Sequence, residues 1–271
     1  MQNRKPVFLT IYTVFFFLYI FAPLLLIFVF AWNSGEGYNF PLQGVTWNWF
    51  LEFFNDEIAL RAIKNSVIIA VISATISTIL GTGLAYGIIK GIARFRTGLL
   101  TVLMLPVLMP SLTIAISALV FFRTVNIPLG IPIVILSHVS ISMSYVFLIM
   151  IGRVEGISLE IQEAAIDLGA SWFGSIKDII FPALLPAIIA GWLFSFMISW
   201  NEFIVTYFLI GTEVTLPIYI FSQLRFGLSP KVNVISVLVT IFTLVIIAAL
   251  LASRKLYSII RSKSVPVLTK T

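Results

Sequence analysis

Few side chains in this 271-residue chain could do chemistry. It has one histidine, His138, no cysteine and 11 acidic residues. A lone histidine rules out HExxH and other multi-histidine metal sites, and without cysteine there is no thiolate ligand, disulfide or Cys nucleophile. No Gly-Lys dipeptide is present, so there is no Walker A loop to cradle ATP phosphates, and no GxSxG elbow. Nothing pairs a nucleophile with a nearby base. These absences argue against an enzyme: no catalytic residue, metal or cofactor is expected, and any chemical energy must come from a partner. Two groups of carboxylates stand out instead. Glu202 lies in a strongly apolar stretch just after Ser199, Trp200 and Asn201. An ionisable residue there marks a pathway or binding site by default, and a carboxylate beside aromatic faces suits a cation; the other reading is a hydrated residue nearer an interface. Glu163 and Asp167, four apart, share one helix face and make it acidic.

The elements that must hold these residues are membrane spans. The chain is 60% hydrophobic and 10% charged, with a mean hydropathy of +1.10, whereas soluble domains carry about 45–50% apolar and about 25% charged residues. A helix crosses the bilayer core in roughly 20 apolar residues. Six stretches qualify, at 7–32, 66–89, 99–122, 131–151, 187–210 and 234–252, which predicts an all-α polytopic bundle and a single transmembrane domain over 1–271. Pro106 and Pro110 predict a kink or break in the third. The first is read as an uncleaved helix, because its apolar run is too long for a signal peptide and no small-x-small site follows.

The net charge of +6 would suggest nucleic acid only if basic residues clustered on a soluble face. Here they flank apolar runs. Twelve of the 17 Lys and Arg fall on the side of both termini and five on the other, so the termini are expected in the cytoplasm. The longest outer segment, 33–65, is rich in aromatic residues and suits an amphipathic piece at the interface. His138, near Ser137, Ser140 and Ser144, reads as a hydrogen-bonded packing residue. Small residues at four-residue spacing in the second span (Ser66, Ala70, Ala74 and Thr78, then Gly83, Gly87 and Gly91) predict close helix packing.

The inner segment 152–185 is the most informative. Ser158 is a good N-cap with Glu160 in the first turn, Gly169 suits the left-handed residue after a helix, and Ser171 can cap a second short helix ending before Pro182. Glu163-Ala164-Ala165, three residues, Gly169, nine residues, Ile179, one residue and Phe181-Pro182 resemble the EAA signature of ABC-transporter permeases of the binding-protein-dependent import type. That signature prefers Leu-Pro where this chain has Phe-Pro. The resemblance extends through SATISTILGTGLAYGI and TLPIYIFSQLRFGLSPKVNVISVL, and is strongest to the spermidine/putrescine branch.

The resemblance implies a type I, MetI-like permease fold in the inner membrane. It implies as partners a second, similar permease, two copies of a cytoplasmic ATPase and an extracytoplasmic substrate-binding protein. The helix around Glu163 would sit in a groove of the ATPase, with Glu163 facing a basic residue, Ala164 and Ala165 allowing close approach, and Asp167 and Gly169 completing the coupling loop. A polyamine substrate would use Trp200, Asn201 and Glu202. The same importer class also serves opines, phosphonates and ferric iron. A secondary transporter is opposed by the absence of inverted repeats and the shortage of intramembrane acids.

Overall fold

The computed structural model describes residues 7–35, 40–91, 96–226 and 230–244. Both basic termini and the sixth expected span beyond Leu244 lie outside the described residues. Those described are helical apart from loops and one isolated bridge, Asn33 to Val45. They form two compact units, Met1–Asp56 with Ser222–Thr271, and Glu57–Phe221.

In the first unit, α1 (Val7–Ala31) is apolar all round and most of its side chains are exposed. That suits hydrocarbon and not water. The segment after it folds back on itself. Gln43 N donates to Asn33 Oδ1 at 2.9 Å, Trp49 Nε1 to Asn33 O at 2.8 Å, and Trp32 meets Trp47 edge-on at 4.1 Å. The expected interfacial piece is α2 (Asn48–Phe54), which buries Phe50 and Phe53. The last described helix of the chain, Lys231–Leu244, starts three residues before the expected span. Lys231 pairs with Glu52 at 3.5 Å and Asp56 at 4.0 Å.

The second unit is built on α3 (Glu57–Lys90), α6 (Ile131–Glu155) and α9 (Phe181–Asn201). Helix α3 begins nine residues before the apolar run, because Glu57, Arg61 and Lys64 are good helix formers at an exposed end. The third expected span is α4 (Arg96–Leu108) and α5 (Ser111–Thr124), bent by 102°. Pro110 has no N–H to continue α4, and its own ψ of 136° ends the helix. The inner loop gives α7 (Leu159–Asp167) and α8 (Trp172–Ser175).

Helix α8 does not stop before Pro182. A π-turn, Ile176–Ile180, joins it to α9, giving one continuous helix of 30 residues, Trp172–Asn201. Pro182 removes the bond that Asp178 O would accept and crowds that carbonyl. The widened turn, in which Phe181 N bonds Ile176 O, absorbs both effects. The fifth span also departs from 187–210: the helix ends at Asn201 and restarts as α10 (Ile204–Leu209), followed by α11 (Leu216–Phe226).

Among the described residues four helices, α1, α3, α6 and α8–α9, are long and apolar enough to cross a membrane, and the bent α4–α5 pair makes a fifth if counted as one. That is compatible with six, the remaining helix being Lys231–Leu244. The close approach on α3 is made only in part by the residues the spacing indicated. A Cβ on Gly81 would lie 2.9 Å from Val146, and one on Gly191 of α9 3.3 Å from the same valine. Among the described residues, a Cβ on Gly83 or Gly87 would meet nothing within 4 Å. Ser66, Ala70, Ala74 and Thr78 are buried as expected, and Ser73, Ser77 and Ala85 join them.

Candidate functional site

Capping is local chemistry, and α7 obeys it. Ser158 Oγ accepts from Glu160 N at 3.1 Å. At the other end Gly169 has φ +93°, its N–H donates to Ile166 O at 2.9 Å, and Ala170 N donates to Ala165 O at 3.0 Å. These two bonds form a Schellman motif, which needs the left-handed residue that glycine supplies without strain. Ser171 Oγ accepts from Gly174 N at 3.0 Å and starts α8. Glu163, Ala164 and Asp167 are exposed and Ala165 is half-buried. Beside them Leu168 is 90% exposed and Phe173 77% exposed. The outcome is a short rigid helix presenting carboxylates, small residues and an apolar tip.

The sequence gives no hint of the break around Glu202. Its ψ of 106° takes it out of the helix. Its carboxylate caps the next one: Oε1 accepts from Val205 N at 3.1 Å, while Ser111 Oγ, in the first turn of α5, donates to Oε2 at 3.4 Å. The carboxylate thus ties the first turn of α10 to the first turn of α5. A carboxylate offers about four lone-pair positions, of which two are taken among the described residues.

Trp200 and Glu202 line a small cavity of about 10 Å³ together with Ser66, His138, Ser199, Thr206 and Thr215, room for about one water molecule. Asn201 is not among its lining residues; it is exposed, and its amide donates to Met197 O at 2.8 Å. Along α9 the rings of Trp192, Phe196 and Trp200 stack at 5.6 and 5.8 Å. A period of four in the aromatics is the signal that could have shown this ladder. A separate apolar groove of about 530 Å³, lined by α4, α5 and α6 residues such as Pro106, Phe121 and Ser140, contains none of the expected site residues.

His138 is 2% exposed and hydrogen-bonded, as expected, but not to the serines next to it in sequence. Thr206 Oγ1 gives its one proton to Glu202 O at 2.7 Å, so it accepts from His138 Nε2 at 3.0 Å. That leaves Nδ1 to accept from Ser199 Oγ at 2.8 Å. The ring thus bridges the last turn of α9 and the first of α10, across the break at Glu202.

The family described as "Binding-protein-dependent transport system inner membrane component" matches residues 78–260. The spermidine/putrescine transport system permease protein PotC of Haemophilus influenzae is 32% identical over 230 residues, covering 84% of this chain and 89% of that protein. PotC of Escherichia coli K12 is 32% identical over 232 residues, with 85% and 88% covered. In a solved structure, a chain of a bacterial ABC transporter that imports the acidic polysaccharide alginate is similar with a TM-score of 0.72 at 16% identity, covering 93% of this chain and 98% of that one. At that identity the likeness carries the fold alone. The chain belongs to the binding-protein-dependent transport system inner membrane components: it is a permease component of an ABC importer, not an enzyme.

Proposed function

We propose that this permease serves polyamine import, and that α7 is its contact with the ATPase. The observation that carries the coupling role is the Schellman-capped α7 with its exposed Glu163 and Asp167 and the bare Leu168 and Phe173. Exposed apolar surface rimmed by charge is the mark of a protein-binding patch. Glu163 would make a charge-assisted bond to a basic ATPase residue, Ala164 and Ala165 would let the groove close on the helix, and Gly169 would set the exit turn. Closure of an ATPase dimer on nucleotide would then bias the membrane helices between two states. The partners in this reading are a second permease, the ATPase dimer and an extracytoplasmic binding protein. Both termini lie in the cytoplasm.

The substrate reading rests on the PotC relatives and on Glu202. A fixed carboxylate at the end of an aromatic ladder offers charge pairing and ring faces to an alkylammonium group. It suits an anion such as a phosphonate poorly, since like charge repels in a low-dielectric site. The test is uptake of radiolabelled spermidine into cells carrying this permease with its transport partners. Glu163→Lys should abolish uptake and release the ATPase on purification. Uptake retained by that variant refutes the coupling role, and an assembled, ATP-hydrolysing complex that takes up no polyamine refutes the substrate.

A further inference from the structure

Helix α7 has a second face, turned away from Glu163. On it Gln162 is only 5% exposed, and its amide is engaged at both ends. Tyr86 Oη, in the last turns of α3, donates to Gln162 Oε1 at 2.8 Å. Gln162 Nε2 donates to Ser175 Oγ at 3.3 Å, and Ser175, 1% exposed, passes its own proton to Trp172 O at 2.8 Å. The amide thus ties α7 to α3 on one side and to the start of the long α8–α9 helix on the other. Two backbone anchors fix the same corner: Lys90 Nζ donates to Ile157 O at 2.7 Å, and Arg153 Nε to Ala183 O at 2.9 Å.

The physical point is directionality. A buried apolar side chain can slide over its neighbours at small cost, because dispersion contacts have no preferred direction. An amide with its acceptor on one hydroxyl and its donor on another cannot. Moving α7 without α3 and α8 would leave both ends of the amide unpaired in a buried place, which costs more than the bonds themselves contribute. We propose that Gln162 is the positioning residue that makes α7, α3 and α8–α9 move as one body, so that motion delivered to α7 reaches the membrane helices. The proposal rests on α7 being the helix that the ATPase moves. It assigns Gln162 no part in docking.

The experiment uses the full transporter in nanodiscs, in a background without other thiols, with nitroxides on cysteines placed at Leu60 near the start of α3 and Val125 just after α5, both exposed. A non-hydrolysable ATP analogue is added and the distance distribution is read. With Gln162 in place the distribution shifts. With Gln162→Leu the ATPase stays bound and hydrolyses ATP within about twofold, while the shift falls at least fivefold. Tyr86→Phe, which removes one bond and no volume to speak of, reduces the shift about twofold and guards against a folding defect. A full shift in both variants overturns the proposal, as does loss of the ATPase from the Gln162→Leu complex, which would place Gln162 in the docking surface. If the Glu163→Lys complex keeps its ATPase and its shift, it is the coupling role of α7 that fails instead.

Discussion

Gly81→Ala adds one methyl group whose cost follows from three distances. The new Cβ would stand 2.9 Å from Val146 Cβ and Cγ1 and 3.0 Å from Met143 O. Carbon contacts are comfortable at about 3.5–4.0 Å, so α3 and α6 must part by roughly half an ångström. Met143 O is helix backbone and cannot rotate aside. Overpacking of this kind costs about 1–3 kcal/mol, and the better helix propensity of Ala returns about 0.5–1 kcal/mol. The net runs from near zero to about 2.5 kcal/mol, and the unyielding carbonyl places it in the upper part, about 1–2.5 kcal/mol or about 2–10 °C in thermal midpoint for a protein of this size. At Gly83 and Gly87 an added Cβ meets nothing within 4 Å among the described residues, so the propensity gain applies. The assay heats the detergent-solubilised chain and follows the fraction that stays monodisperse by size exclusion. Gly81→Ala should lower the midpoint, and the other two should leave it unchanged or raise it. Adding Val146→Ala to Gly81→Ala should recover little of the loss, since alanine removes only the Cγ1 contact and the clashes with the residue 146 Cβ and Met143 O remain. Equal losses at all three glycines would refute the packing argument.

Two further substitutions probe the Glu202 region. Glu202→Gln keeps the shape and the acceptor for Val205 N but removes the charge, and should raise the KM for spermidine uptake about tenfold, equivalent to about 1.4 kcal/mol; an unchanged KM would count against Glu202 as a substrate contact. His138→Phe fills the ring's volume but gives up both hydrogen bonds, at about 0.6 kcal/mol each inside a membrane. Thr206→Val should then cost less in that background than alone, and strictly additive midpoint shifts would show that no clasp exists.

What could be read in the sequence was chiefly what is decided locally. Ser158, Gly169 and Ser171 act on backbone groups two to five residues away, so their roles around α7 were visible before any fold. Pro106 and Pro110 announced a disruption, though nothing in their spacing specified 102°. The seam on α3 was legible as small residues, but a four-residue spacing cannot say which stripe faces the neighbour. Gly81 does, and Gly83 and Gly87 do not. The break after Asn201 was hidden, because apolar residues resume directly after Asn201-Glu202 and carry the run on to Ile210. It is maintained by Glu202 capping Val205 and by His138 holding Ser199 and Thr206, partners 61 and 68 residues from it in sequence. Pro182 looked like a stop because a proline usually is one; the π-turn, a rarer answer to the same missing N–H, carries the helix past it.

That uninterrupted passage has a mechanical meaning. Thirty residues at 1.5 Å each make a rod of about 45 Å, against a hydrocarbon core of about 30 Å. About a third of its length must therefore stand clear of the oily layer, working as a handle on the part inside. A hinge at Pro182 would have let the handle flop while the inner portion stood still. Pro186 as well as Pro182 lacks the N–H of the ladder, yet the helix runs on as one. A shaft that tilts by roughly 10° at Trp172 displaces its far end by about 8 Å over its full length of about 45 Å, and the residue just beyond that tip is Glu202.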